Sequence, residues 1–216
     1  SNDVNLTATV ASITSAGSGT SVTASSASFD SKTGVGLNTQ VSTIAARAAT
    51  SGTIVIIDKL TAGSTIGSFG GLTGLSAPGN ITYQNTHTNA NVSVTAAVSA
   101  TDTGNIVFQV NDDINVSAAI STNGGTVTIS PDFHASGDGK LDLQTGGSIA
   151  TSGGDVTVTA ADVELTGTIN AGAGSVTLQT STAGRTIDLG ATGGTGQFVL
   201  TSAELNQVTA GSITVG

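Results

Sequence analysis

Cysteine, methionine and tryptophan are absent from this 216-residue chain, proline occurs twice, tyrosine once, and only 9% of residues are charged. Each shortage closes a route. Without cysteine there is neither a disulfide framework nor a thiolate metal site, and that absence suits a long secreted polypeptide that crosses a membrane unfolded. Five cations stand against fourteen acids, for a formal net charge of −9. The cations, Lys32, Arg47, Lys59, Lys140 and Arg185, are scattered. Phosphate binding needs clustered positive charge, so nucleic acid is not an expected partner. No apolar run approaches twenty residues, which gives no expectation of membrane insertion through a helix. The start at Ser1 reads as mature sequence without a signal peptide, as in a piece cut from a larger protein. Carbohydrate recognition through aromatic platforms has little to work with, because Tyr83 is assigned to the interior.

What the chain does have is a repeated phrase: glycine, one small or polar residue, then apolar, any, apolar. It recurs at Gly52, Gly79, Gly104, Gly125, Gly154, Gly174 and Gly196, at separations of 27, 25, 21, 29, 20 and 22 residues. Alignment gives one column of Ile54, Ile81, Ile106, Val127, Val156, Val176 and Phe198. A second column, two residues on, holds Ile56, Tyr83, Phe108, Ile129, Val158, Leu178 and Leu200. Period-two alternation marks a strand with one buried face, and a 20- to 30-residue repeat marks a stacked solenoid. Two or three short strands per repeat, with no long helix, predict an all-β fold: a parallel β-helix in which equivalent side chains stack between coils about 4.8 Å apart. Residues 1–216 then form a single domain of roughly nine coils, about 40 Å long. Glycine before each strand is expected to supply the φ freedom that turns the corner.

Further alternating pairs supply the other faces: Ile114, Val116, Ala118 and Ile120; Leu141 and Leu143; Val163 and Leu165; Ile187 and Leu189. Residues 1–38 alternate at Leu6, Ala8 and Val10 and at Val35 and Leu37, but lack the phrase, so no register is assigned there. Ile54 to Ile57 are apolar on both faces. The Gly/Ser/Thr-rich stretch 59–78, with Leu60, Ile66, Phe69, Leu72 and Leu75, is expected to fold over them and cover Val55 and Ile57. Thr201 and Glu204 have capping-box spacing for about two helical turns ahead of Gly211, and residues 40–49 are expected to form a similar turn.

Chemistry-bearing residues are few. Asp132-Phe133-His134, with Asp138 and Asp142 nearby, is the strongest catalytic candidate, since β-helical hydrolases and lyases work with paired carboxylates or with calcium and a base. The only cation adjacent in sequence is Lys140, and the segment reads as a polar corner loop. His87 reads as a solvated corner residue. Asp112-Asp113 and Gly137-Asp138-Gly139 offer oxygen ligands for calcium, but the Gly-Gly-x-Gly-x-Asp array of calcium-binding repeats is missing. Thr126 and Thr128, with Thr157 and Thr159 one step out of register, hint at a flat threonine surface of the ice-binding kind; they read as ordinary exposed strand residues. Sequons at Asn5, Asn80, Asn91 and Asn115 are weak hints of glycosylation. No catalytic, cofactor or metal residue is assigned.

Two groups of residues resemble a known family. Gly184-Arg185-Thr186-Ile187-Asp188-Leu189-Gly190, then Phe198-Val199-Leu200-Thr201-Ser202-Ala203-Glu204-Leu205 and Thr209-Ala210-Gly211-Ser212-Ile213-Thr214-Val215-Gly216, is similar to a segment of filamentous-haemagglutinin-like surface proteins of Gram-negative bacteria. Val41-Ser42-Thr43-Ile44-Ala45-Ala46-Arg47, leading into Gly52-Thr53-Ile54, resembles another. The resemblance implies a secreted, right-handed parallel β-helix at the cell surface, exported by an outer-membrane partner and serving as the stalk of an adhesin that reaches a host or neighbouring cell. No catalytic residue carries over from it. A rigid, non-enzymatic shaft is the expected function. A polysaccharide-active enzyme fragment and a filament or surface-layer subunit associating end to end are the alternatives.

Overall fold

The computed structural model describes residues 2–85, 87–190 and 197–216. The chain is a parallel β-helix with three sheet faces. On the first face, eight successive parallel pairings join nine strands: Ile13–Thr14, the start of Val35–Ala48, Ile54–Asp58, Ile81–Asn85, Ile106–Val110, Val127–Ser130, Val156–Ala160, Ser175–Thr180 and Ser212–Val215. In-register pairing stacks Val35, Ile54, Ile81, Ile106, Val127, Val156, Val176 and Ile213 in one column, and Leu37, Ile56, Tyr83, Phe108, Ile129, Val158, Leu178 and Val215 in the next. The second face stacks Ala27, Ile44, Ile66, Val94, Val116, Leu143 and Leu165. The third stacks Phe29, Ala46, Leu75, Val98, Ile120, Ile149 and Ile169. All these second- and third-face side chains are buried and form one continuous core. Burial of an aliphatic side chain contributes about 1.5–3 kcal/mol.

The alternation that located these columns holds at Val35 and Leu37, but not through Leu6, Ala8 and Val10: Leu6 is 38% exposed and Val10, beyond the strand Asp3–Ala8, is 80% exposed. Val35 and Leu37 sit directly on Ile54 and Ile56. The strand Asp3–Ala8 pairs with Val22–Ser31, which in turn pairs with Val35–Ala48. These long strands run across the second and third faces without a break. Residues 40–49 therefore lie in extended chain, not in the expected helical turn. Ile44 and Ala46 fill the core there, which a helical period would not allow.

Three other expectations change. Phe198 and Leu200 are buried but belong to the strand Phe198–Leu200, which packs against Asp162–Leu165 and pairs with Ile187–Leu189; Ile213 and Val215 take the first-face places above Val176 and Leu178. Gly196, the last of the seven glycines, lies outside the described residues. The stretch 59–78 does not cover Val55 and Ile57, each 37% exposed. It is a coil in its own right, giving Ser64–Ile66 to the second face and Leu75–Ala77 to the third. Between them an antiparallel hairpin, Ser68–Phe69 with Leu72–Thr73, packs on Val22–Ser31 and Val35–Ala48. Ser28 and Ala45, which alternate to the outer side, are buried there. The capping box is present, with Thr201 accepting from Glu204 N and Glu204 Oε2 accepting from Thr201 N at 2.8 Å, but the helix Ser202–Leu205 makes one turn rather than two. Glu204 Oε1 also accepts Leu165 N at 3.1 Å, which ties that turn to the coil beneath it.

The corner glycines serve a purpose other than the expected one. Of the six described, only Gly52 has a positive φ, 89°. At the rest the constraint is proximity to the coil below. A Cβ on Gly104 would stand 2.3 Å from the carbonyl oxygen of Gly79, on Gly125 2.1 Å from that of Gly104, and on Gly154 2.1 Å from that of Gly125. Real Cβ atoms do not approach backbone this closely, so any side chain would force the coils apart. Gly125→Ala is expected to destabilise the protein by about 3 kcal/mol in urea unfolding, the upper range for overpacking. Gly19→Ala, with nothing near its Cβ, should stay within about 0.5 kcal/mol. Equal effects would refute the close-approach argument.

Candidate functional site

The Asp132 segment lies in the coil from Gly125 to Gly154. The strand Val127–Ser130 ends at the buried Pro131, and residues 131–139 leave the sheet before Lys140–Leu143 resumes it on the second face. Asp132 and Ala135 both have left-handed backbone, with φ of 57° and 54°. Such conformations cost about 1–3 kcal/mol in non-glycine residues and persist only where their surroundings over-determine them. Here the surroundings are the Asp132 carboxylate itself. Its Oδ1 accepts Ser136 N and Ser136 Oγ, both at 2.6 Å, and its Oδ2 accepts Gly137 N at 2.9 Å and the hydroxyl of Ser181 from a later coil. The side chain is 1% exposed.

Four donors, none of them a cation, satisfy this buried carboxylate and engage it as the pin of the loop. His134 is exposed and reaches away, its Nδ1 accepting from the Asn111 amide at 2.8 Å. Asp142 accepts from Gln144 at 2.9 Å on the outer side of its strand. Lys140 donates to Glu164 at 2.9 Å, and its pKa is raised chiefly by that hydrogen bond. His134, Asp142 and Lys140 thus each engage a different partner. Arg185, which is distant in sequence, supports the loop: it donates to Gly137 O at 2.9 Å and to Ala161 O at 2.6 Å.

Asp112 lies close to this loop. Burial raises its carboxyl above the ordinary 3.8, and the charges of Asp113, Asp138 and Asp132 add to the effect, while a backbone hydrogen bond from Asp113 opposes it. Asp113 Oδ1 is occupied by Lys140 N at 2.9 Å. Among the described residues no group of three or more His, Asp or Glu is placed to hold a metal ion. His87 is exposed and donates its backbone N–H to Asn85 Oδ1 at 3.1 Å; its neighbour Thr86 lies outside the described residues.

A cavity of about 200 Å³ opens on the outer side of the loop, lined by Ser130, Asp132, Phe133, Ala135, Thr159 and Ser181. Phe133 is 39% exposed, whereas Phe29, Tyr83, Phe108 and Phe198 are fully buried. The Phe133 and His134 rings stand 5.6 Å apart, tilted by 37°. Larger grooves exist, of about 270 Å³ beside the Asp30–Arg47 ion pair and about 380 Å³ along the glycine corner. The first holds a surface pair already matched at 2.7 Å, and the second is walled largely by the backbone turns around Gly52, Gly79 and Gly104.

Two polar features escaped the sequence reading. At the strand-entry corners, side-chain oxygens extend the backbone ladder: Asn80 Oδ1 accepts Asn105 N, Asn105 Oδ1 accepts Thr126 N, and Asp155 Oδ1 accepts Ser175 N, all at 2.8 Å. Asn91, Asp113 and Asp162 do the same at another corner, for Asp113 N, Lys140 N and Val199 N. Two of the four sequon asparagines, Asn80 and Asn91, are thereby scaffold residues. The second feature is Asp58, 1% exposed at the inner end of its strand. Its Oδ1 accepts from Thr39 Oγ1 at 3.0 Å and from Val41 N at 3.3 Å; its Oδ2 accepts from Tyr83 OH at 3.1 Å, from Asn85 Nδ2 at 3.4 Å and from the Ser64 hydroxyl.

Compared with known protein families, curated proteins and solved structures, the chain matches none of them.

Two measurements probe these polar centres. Burial, reinforced by the charge of Asp58, raises Tyr83 well above the usual 10.0. The folded state then holds the phenol proton more tightly than the unfolded chain does, so stability falls as pH rises past about 10, where only the unfolded tyrosine ionises. Tyr83 is the sole tyrosine and there is no tryptophan, so near-ultraviolet phenolate absorbance reports on it alone. The signal should appear together with loss of β-sheet circular dichroism, and ionisation near 10 in folded protein would contradict the buried network. At the loop, Asp132→Ala should cost about 2 kcal/mol and open residues 131–139 to proteolysis, because four donors lose their acceptor. His134→Ala should stay within about 0.5 kcal/mol.

Proposed function

We propose that this chain is a rigid shaft segment of a secreted bacterial surface adhesin of the filamentous-haemagglutinin-like kind. The observation that carries the reading is the register: parallel strands on the first face pair without a break from Ile13–Thr14 to Ser212–Val215, over about 40 Å, and two further stacked faces close the aliphatic columns along most of that length. Bending such a rod would part backbone hydrogen bonds on one side and compress close-packed side chains on the other. The chain's investment in corner ladders, a glycine seam and buried carboxylate pins serves stiffness. The segments that resemble surface-protein modules are scaffold as well: Val41 to Arg47 cross the second and third faces, and Ile213 and Val215 extend the first-face columns. Among the described residues no helix is long and apolar enough to cross a membrane. In this reading the chain stands outside the outer membrane, delivered by an export partner, and holds other binding regions at a distance from the cell.

Mechanics and location test the proposal separately. Pulled from its ends in a single-molecule experiment, a shaft should yield coil by coil, with increments of roughly 70–100 Å for coils of some 20 to 29 residues. Antibodies against the chain should stain intact producing cells without permeabilisation. Complete unfolding in one low-force event, or staining confined to permeabilised cells, would overturn it.

A further inference from the structure

The loop cavity combines features that a corner of a plain shaft does not need. Its backbone is strained at Asp132 and Ala135, and that strain is held by five side-chain-anchored hydrogen bonds, four to Asp132 and one from Arg185 to Gly137 O. The result of this expenditure is an exposed phenyl ring, Phe133, whereas Phe29, Tyr83, Phe108 and Phe198 lie in the core and Phe69 is partly buried on the outer hairpin. Facing it are hydroxyl groups from three coils: Ser130, Thr159 and Ser181. Their hydrogen-bonding states differ. Thr159 Oγ1 accepts from Gln179 Nε2 at 2.8 Å and so has its proton free to donate. Ser181 donates to Asp132 and so has lone pairs free to accept. Ser130 Oγ has no partner among the described residues.

We propose that this cavity binds one neutral pyranose ring of a glycan. A pyranose has an apolar C–H face and a rim of hydroxyls that both donate and accept, which matches a phenyl floor beside a mixed hydroxyl wall. The volume of about 200 Å³ admits a single ring and leaves the rest of a glycan to run along the outer face. Charge selects against acidic sugars. The Asp132 carboxylate lines the cavity, and Asp112 is close enough to Asp132 and to Asp138 for its charge to interact with both. Among the described residues no lysine or arginine lines the cavity to receive an anion. The loop is preorganised, so little ordering entropy opposes binding. The site would make the shaft adhesive along its side, and it stands or falls independently of the shaft's mechanics.

The test is an amide-resolved NMR titration of the whole chain with glucose, galactose, mannose, N-acetylglucosamine and glucuronate. At least one neutral sugar should shift the amides of Ser130, Phe133, Ala135, Thr159 and Ser181, with a Kd on the order of 1 mM, and glucuronate should bind more weakly. Phe133→Ala should weaken that sugar about tenfold with an unchanged thermal midpoint, and Phe133→Trp should preserve or strengthen it. The proposal is overturned if no neutral sugar shifts these amides at about a hundred times that Kd, if Phe133→Ala titrates like the parent protein, or if glucuronate binds best.

Discussion

Successive coils of this chain meet backbone to backbone, and at one corner the approach is closer than any side chain permits. A carbonyl oxygen sits 2.1 Å from where a Cβ on Gly125 would be, and the same holds one coil later at Gly154. With that corner fixed, strand spacing on the adjoining faces is fixed too, and each inward side chain lands on its counterpart in the next coil. A one-residue slip would send every aliphatic side chain to the solvent face. The glycine seam and the apolar columns therefore enforce the same register by different means: the seam excludes bulk at the corner, and the columns reward burial inside.

A narrow solenoid cannot bury polar groups cheaply, and the structure shows how each one is met. Strand ladders satisfy the faces, but at corners the backbone turns away from its neighbour and would leave amides unmatched. Asn80, Asn105 and Asp155 restore the missing acceptors with side-chain oxygens. Asp58 gathers its donors from several coils, so its carboxylate holds Thr39, Ser64, Tyr83 and Asn85 together where an apolar residue could not. Removing such a centre costs more than its net contribution, because the donors left behind stay buried.

The repeat was legible because its signal is redundant: a glycine, a spacing and two apolar columns all report one register. Tyr83 was placed inside on that basis, as was the β-helix itself. The misplacement of Phe198 has a clear cause. Phe198-Val199-Leu200 imitates the alternating phrase, yet the chain passes the second face twice, through Ile187–Leu189 and Phe198–Leu200, and the first-face positions fall to the later Ile213 and Val215. Alternation shows which residues point inward but not which face they line. Asp58 was readable in principle, since Ile54, Ile56 and Asp58 continue one period-two series, but polarity at an inward position is discounted until its partners are seen. Those partners come from residues 39, 64, 83 and 85, and no local pattern announces them. The Asp132 loop stood out for its chemistry, and the structure shows it built around the same carboxylate, which orders the backbone that presents Phe133.

That arrangement bears on how a β-helix can carry an exposed loop without disturbing its stack. The loop departs after Ser130 and returns at Lys140, and both flanking strands keep their pairings above and below. Its internal hydrogen bonds close on Asp132, with Ser181 and Arg185 as the anchors from a later coil. Stability in a solenoid is a sum over neighbouring coils, so an insertion at a corner burdens only the interfaces it touches. Loop-closure entropy rises slowly with length, so a corner can acquire nine residues at modest cost. The ladder holds the stack and the corner carries the surface chemistry, so sequence change at residues 131–139 can alter the exposed surface while the columns beneath continue to set the shape of the solenoid.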